Sequence, residues 1–160
     1  MGLLLAAEAL QGRSGHEVGR QLLAALYRQA TGEELPPIAT TANGKPYFTQ
    51  GNWHFSISHT PNHVFCVLSQ KNVGLDAEEM QRPVSAAVIS RFLSDTEQAR
   101  LGADKEREAL RLWVLKEALA KLTGRGIGNW MKDTDFDPYD KRVQEIDGCY
   151  VAVLEEDDAV

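Results

Sequence analysis

Two carboxylates stand two residues apart, at Asp76 and Glu78, in a segment that alternates apolar and polar residues. The alternation over residues 73–78 predicts a β-strand with its apolar side chains on one face. Asp76 and Glu78 then share the opposite face, about 7 Å apart along the strand. Carboxylate oxygens are the ligands that hard divalent cations take, so the pair is a candidate metal site. A solvated polar face of an edge strand would give the same pattern.

A third carboxylate lies in residues 112–122, where apolar residues occur almost all around the predicted helix. Such a helix is expected to be buried. Glu117 and Lys121 are four residues apart and therefore share one of its faces. Burying both charges costs several kcal/mol unless something compensates them. Two explanations stay open, namely a mutual salt bridge, or a metal at Glu117 with a phosphate at Lys121.

Two further polar pairs stand at the ends of predicted elements. Ser58 and His59 end a strand and begin a turn, where side chains are free to meet a ligand, although the pair read alone favours a structural histidine bonded within the turn. Ser94 and Glu97 have the spacing of a capping box at the start of a helix.

The elements that must position these residues follow from apolar periodicity and from turn residues. Helices are predicted over residues 17–30 and 105–122, and the second one stops near Gly124. Strands are predicted over 53–58, 64–68 and 73–78, with a closing hairpin over 142–154 that turns at Asp147-Gly148.

Composition narrows the class of protein. The 160 residues suit one domain, with 43% hydrophobic and 25% charged residues. The net charge of −6 argues against broad nucleic-acid binding. No apolar stretch approaches about 20 residues, and the first ten lack a basic region, so a membrane span and a signal peptide are not expected. Cys66 and Cys149 lie in apolar runs and are expected to be buried free thiols.

The order of these motifs resembles the Sfp-type family of 4'-phosphopantetheinyl transferases. Any one motif is common by chance, and it is their order and spacing that carry the resemblance, which is strong over residues 43–128. The matching segments are Gly-Lys-Pro-Tyr at 44–47, Phe-Ser-Ile-Ser-His at 55–59, Val-Gly-Leu-Asp-Ala-Glu at 73–78, Arg-Phe-Leu-Ser-Asp-Thr-Glu at 91–97, Trp-Val-Leu-Lys-Glu-Ala-Leu-Ala-Lys at 113–121 and Gly-Arg-Gly-Ile at 124–127.

The resemblance implies an α+β fold of two similar halves related by a pseudo-twofold, with the active site in the cleft between them. The halves would be residues 1–72 and 73–160. The implied activity moves the 4'-phosphopantetheine group from coenzyme A to a serine of an apo acyl or peptidyl carrier protein. It would need Mg²⁺, with Mn²⁺ as an alternative. We expect a cytoplasmic monomer that binds neither nucleic acid nor membranes.

The resemblance also implies roles for individual residues. Asp76, Glu78 and Glu117 would hold Mg²⁺ against the coenzyme A pyrophosphate, and Lys121 would contact its phosphates. Lys45, Ser58 and His59 would contact the nucleotide side, with His59 near the 3'-phosphate. The implied catalytic residues are Glu117, Lys121 and Glu97, of which Glu117 is the first candidate for the general base and Glu97 the second.

Two other functions use the same residues. A metal-dependent phosphohydrolase would employ Asp76, Glu78 and Glu117 with water as the nucleophile, and a coenzyme A-binding module would bind without turnover. The N-terminal part is shorter than the resemblance leads us to expect. Its basic residues Arg13, Arg20 and Arg28 do not align securely with groups that would grip the 3'-phosphate.

Overall fold

The computed structural model describes residues 2–156. Met1 of the first predicted half and residues 157–160 of the second lie outside the described residues. The elements are β1 (Leu4–Ala9), α1 (Gly15–Thr31), β2 (Ile38–Thr40), β3 (Pro46–Phe48), β4 (His54–His59), β5 (His63–Ser69), β6 (Val73–Glu79), α2 (Ala86–Phe92), α3 (Asp95–Ala99), α4 (Lys105–Thr123), a 3-10 helix (Asn129–Asp133), β7 (Val143–Ile146) and β8 (Cys149–Glu155).

Two three-stranded antiparallel sheets form the centre of the molecule. Their strand orders are β1-β5-β4 and β6-β8-β7, and β2 pairs with β3 in a separate hairpin. Helix α1 packs on the first sheet and α4 on the second. Buried clusters fill the spaces between α1 and the first sheet, between the two sheets, and between the second sheet and α4. The mixed α and β architecture agrees with the prediction, whereas the pseudo-twofold stays a prediction.

Local signals in the sequence set the ends of the helices. Ser14 caps α1, and its hydroxyl accepts a hydrogen bond from the Glu17 amide. Helix α4 ends at Gly124, whose φ of 72° lies in the left-handed region that glycine adopts readily. The predicted capping box is present, because Ser94 and Glu97 each accept a hydrogen bond from the other's backbone amide.

Strand β6 is the outer strand of its sheet, yet its outer edge meets β4 and one of its faces is covered by α4. On one side lies β4, where the Ser56 hydroxyl accepts from the Leu75 amide and the Ser58 hydroxyl from the Ala77 amide, each at 3.1 Å. On the face of the strand, α4 crosses β6 at Gly74. A Cβ there would lie 2.1 Å from the Ala118 carbonyl oxygen, so only glycine allows this approach.

Two parts of the fold had no counterpart among the predicted strands. The apolar N-terminal run forms β1, which pairs with β5 from Leu4 opposite Leu68 to Ala9 opposite His63. A turn at Asn43-Gly44 joins β2 and β3 into a short hairpin. Within residues 2–156, none of the helices combines the length and the apolar character needed to cross a bilayer.

Candidate metal and phosphate site

Three carboxylates converge where β6 meets α4. Asp76, Glu78 and Glu117 each contribute an oxygen to a group in which all three lie within 4.8 Å of one another. The alternation of β6 turns Asp76 and Glu78 to the same side, and the buried helix brings Glu117 to them. The structure therefore brings together all three residues that were predicted to hold a metal, and their role in binding one stays a prediction.

Asp76 is buried, with 3% of its surface exposed, so the interpretation of a solvated edge strand is wrong for this residue. Its Oδ1 accepts hydrogen bonds from the Ser58 hydroxyl at 3.2 Å and from the Lys121 ammonium at 3.5 Å. Its Oδ2 is buried and accepts no hydrogen bond from an amide, hydroxyl or ammonium group of residues 2–156. The Glu117 carboxyl beside Asp76 can bond the Asp76 carboxylate only while it holds a proton. A buried oxygen without a partner costs about 1–3 kcal/mol or more if charged, and a cation beside it would remove that cost.

The site disfavours negative charge. Burial, followed by the nearby Asp76 carboxylate, raises the pKa of Glu117 to about 9. Burial also raises the pKa of Asp76, and burial together with Asp76 raises the pKa of Glu78. Like charges held this close oppose one another's ionisation. A divalent cation with oxygen ligands would relieve this repulsion, so the residues present fit such an ion.

Lys121 pairs with Asp76 rather than with Glu117. Its ammonium lies 3.5 Å from Asp76 Oδ1 and donates a hydrogen bond to the Ile57 carbonyl at 3.3 Å. Of the two explanations offered for this buried helix, the mutual Glu117–Lys121 salt bridge is therefore wrong. The Lys121 side chain is still 37% exposed, which leaves its charge open to an anion.

Arg82 lies beside the site and contacts one of its carboxylates. Its guanidinium forms an ion pair with the Glu78 carboxylate, although the Arg82 side chain is about half exposed. The spacing of four residues is typical of a helical pair, but here the chain turns after β6 and brings the two groups together. The Glu78 side chain is 13% exposed, whereas Asp76 is buried.

The three residues predicted to contact a nucleotide have different surroundings. The Lys45 ammonium donates to Asn72 Oδ1 at 2.7 Å and to the Leu122 carbonyl at 2.8 Å, and burial lowers its pKa to about 8. Ser58 is buried and bonded to Asp76. His59 is exposed, and its ring packs against Gly15 at the start of α1.

A cleft of about 240 Å³ opens beside the carboxylates, between β4 and α4. Its polar lining consists of Asn43, Lys45, Ser56, Glu117 and Lys121. Its apolar walls include Pro46, Phe55, Ile57 and Ile127. Pockets that combine apolar walls with a few polar groups are typical small-molecule sites, and this one suits a ligand with an anionic part and an apolar part.

Glu97 has a structural explanation. Its side chain is fully buried, accepts a hydrogen bond from the Phe136 amide at 2.8 Å, and forms an ion pair with Lys116. None of these contacts places it with the three carboxylates, so the geometry does not support Glu97 as a general base. Lys116 also donates to the carbonyls of Met131 and Thr134, a role that sequence reasoning missed.

Comparison with known proteins gives a family. The model of the 4'-phosphopantetheinyl transferase superfamily matches residues 72–155, which contain all three carboxylates and Lys121. The chain belongs to this superfamily.

Curated relatives agree with that assignment. The chain is 40% identical over 93 residues to "4'-phosphopantetheinyl transferase psf-1" of Bacillus pumilus, covering 55% of this chain and 40% of the relative. It is 35% identical over 89 residues to a "4'-phosphopantetheinyl transferase" of Bacillus subtilis, covering 52% of this chain and 39% of the relative. The matched region therefore spans about 40% of the length of these relatives.

Proposed function

We propose that this protein transfers the 4'-phosphopantetheine group of coenzyme A to a serine of an apo carrier protein, acyl or peptidyl, with the help of Mg²⁺. One observation carries the proposal: three carboxylates converge around a buried Asp76 oxygen, beside the Lys121 ammonium and at the edge of a cleft. The names of the relatives support it. The protein would act as a cytoplasmic monomer.

Each residue of the site would have its own task. Asp76, Glu78 and Glu117 would hold Mg²⁺ or Mn²⁺, which when bound neutralises charge on the pyrophosphate of coenzyme A. Lys121, partly exposed beside them, would contact the same phosphates and stabilise the charge that develops during transfer. The apolar walls of the cleft would exclude water, which favours transfer over hydrolysis.

The reaction would exchange the phosphoanhydride bond of coenzyme A for a phosphodiester bond to the carrier serine. The serine hydroxyl oxygen of the carrier attacks the β-phosphorus of coenzyme A, and the bond from that phosphorus to the bridging oxygen breaks. The Glu117 carboxylate accepts the serine proton, directly or through water. Adenosine 3',5'-bisphosphate leaves with the bridging oxygen. Lys45 and His59 would contact the nucleotide side of coenzyme A, a proposal that rests on the resemblance.

The test is incubation of the purified protein with coenzyme A, Mg²⁺ and a panel of apo acyl and peptidyl carrier proteins, followed by intact-mass measurement. We expect one carrier to gain a single phosphopantetheine. Excess chelator, or the Asp76→Asn variant, should abolish the gain while the fold is retained. Release of free phosphopantetheine or phosphate without carrier modification would indicate a phosphohydrolase. Binding of coenzyme A with neither outcome would indicate a module without turnover.

A further inference from the structure

Two serines of β4 make equivalent hydrogen bonds to β6. Ser56 and Ser58 are each 6% exposed. The Ser56 hydroxyl accepts from the Leu75 amide and the Ser58 hydroxyl from the Ala77 amide, both at 3.1 Å. The Leu75 and Ala77 amides lie on the outer edge of β6, where its own sheet offers no acceptor. The two serine hydroxyls supply those acceptors and thereby connect the two sheets.

The two serines differ in what stands beside those amides on β6. Gly74 precedes Leu75, so Ser56 meets no side chain there, whereas Asp76 precedes Ala77. The Ser58 hydroxyl donates to Asp76 Oδ1 at 3.2 Å. Both serines therefore accept a bond from a β6 amide, which we call the junction bond. Of the two, Ser58 also bonds a carboxylate.

Ser58 and Lys121 both bond the same oxygen of Asp76. With Oδ1 held by the hydroxyl and the ammonium, the carboxylate cannot rotate without losing both bonds. The other oxygen, Oδ2, stays buried and accepts no bond from an amide, hydroxyl or ammonium group in the described part of the chain. Hydrogen bonds of this kind orient a metal ligand and commonly change metal affinity by 10–100-fold, roughly, when they are removed.

We infer that Ser58 is a positioning residue of the metal site, which holds Asp76 so that its Oδ2 is available to the cation and thereby sets the affinity for the metal. The inference rests on the metal-binding part of the proposed function. It differs from the expectation that Ser58 contacts a nucleotide, because the single hydroxyl proton, which a phosphate would need, is already donated to Asp76 and the side chain is buried. Ser58 lies outside the matched segment 72–155, so the family match does not assign it.

The test measures binding of Mn²⁺ to the purified protein, with and without coenzyme A, from the electron paramagnetic resonance signal of the free ion. Ser58→Ala should weaken Mn²⁺ binding about tenfold. Ser56→Ala is the matched control, since it loses the same junction bond but no carboxylate contact, and its affinity should change less than about twofold. Ser58→Thr retains the hydroxyl and should stay within about threefold of the wild type. Thermal unfolding of each variant shows whether the fold is retained.

Three results would overturn the inference. They are an unchanged Mn²⁺ affinity in folded Ser58→Ala, an equal loss in Ser56→Ala, or a weakened coenzyme A affinity with normal Mn²⁺ binding. Should Ser58→Ala fail to fold, Ser58→Cys keeps a similar size with a weak donor, and an affinity equal to that of the wild type would count against the inference. Wild-type protein that binds Mn²⁺ but transfers nothing refutes only the proposed function. Wild-type protein that binds no Mn²⁺ refutes both.

Discussion

The Lys116 ammonium and the Glu97 carboxylate lie 2.7 Å apart, and both side chains are fully buried. The pair ties α4 to the start of α3 and, through the other bonds of Lys116, to the segment that follows the 3-10 helix. Removing one partner leaves an uncompensated charge in the interior, which typically costs about 3–5 kcal/mol. This pair therefore stabilises the packing of the C-terminal half.

We expect Glu97→Ala to lower the free energy of unfolding by about 3–5 kcal/mol, because Lys116 loses its counter-charge. Denaturant titration measures the change. The double variant Glu97→Leu, Lys116→Met removes both charges and should recover most of the loss. Turnover per folded molecule distinguishes a structural role from that of a general base. If Glu97 were the base, the folded fraction of the variant would have lost its turnover, whereas a structural role leaves that turnover unchanged.

A second prediction concerns the crossing of β6 and α4. A Cβ at Gly74 would lie 2.1 Å from the Ala118 carbonyl oxygen and 2.4 Å from the Leu122 amide nitrogen, both of them backbone atoms. Gly74→Ala should therefore force the helix away from the strand and destabilise the protein by at least about 3 kcal/mol. Gly102→Ala is the control, because its Cβ would meet its nearest neighbour at an ordinary 3.7 Å. Equal melting temperatures for the two variants would contradict the crossing geometry.

The sequence predicted those parts of the fold whose signals are local. Helix α4 was predicted over residues 105–122 and spans Lys105–Thr123, because its apolar residues and Gly124 mark both its course and its end. Strand β1 was missed, since Leu4–Ala9 is rich in alanine and lacks a clear alternation. Its conformation depends on pairing with β5, a partner more than fifty residues away.

The same distinction applies to the site. Spacing alone put Asp76 and Glu78 on one side of a strand, and buried helix periodicity singled out Glu117. The bond from Ser58 to Asp76 joins residues 18 positions apart, and no local pattern reports it. The partner of Lys121 could not be predicted for the same reason. The sequence points to Glu117, four residues away on the same helix, whereas the partner in the structure is Asp76 on β6.

A third prediction separates charge from packing at Lys121. Lys121→Met should lower turnover by roughly two orders of magnitude, because the phosphates lose a positive group in the transition state. Its effect on stability should be small, about 1 kcal/mol or less, since the side chain is 37% exposed and its 3.5 Å contact with Asp76 is long. Steady-state kinetics and melting curves on the same preparation measure both. A strongly destabilised variant with normal turnover in its folded fraction would favour a structural role.

The last prediction uses the raised pKa of Glu117, about 9 in the folded protein against an ordinary 4.5. Between these pH values the folded state binds more protons at this group than the unfolded state does. The free energy of unfolding therefore falls as pH rises through this window. Below it both states are protonated, and above it both are ionised, so the slope vanishes at either end. The raised pKa of Asp76 acts in the same direction.

In excess chelator, we expect wild-type protein to lose about 5–10 °C of thermal stability between pH 6 and pH 8 relative to Glu117→Gln, which removes the titrating group, because one proton over two pH units corresponds to about 2.7 kcal/mol. Saturating Mn²⁺ should reverse the trend, because metal ligands must be deprotonated and metal binding is therefore stronger at pH 8. Melting curves at both pH values, with chelator and with Mn²⁺, give the four comparisons. Parallel curves for wild type and Glu117→Gln in chelator would show that Glu117 is ionised throughout, and that the three carboxylates are not forced to share protons when the cation is absent.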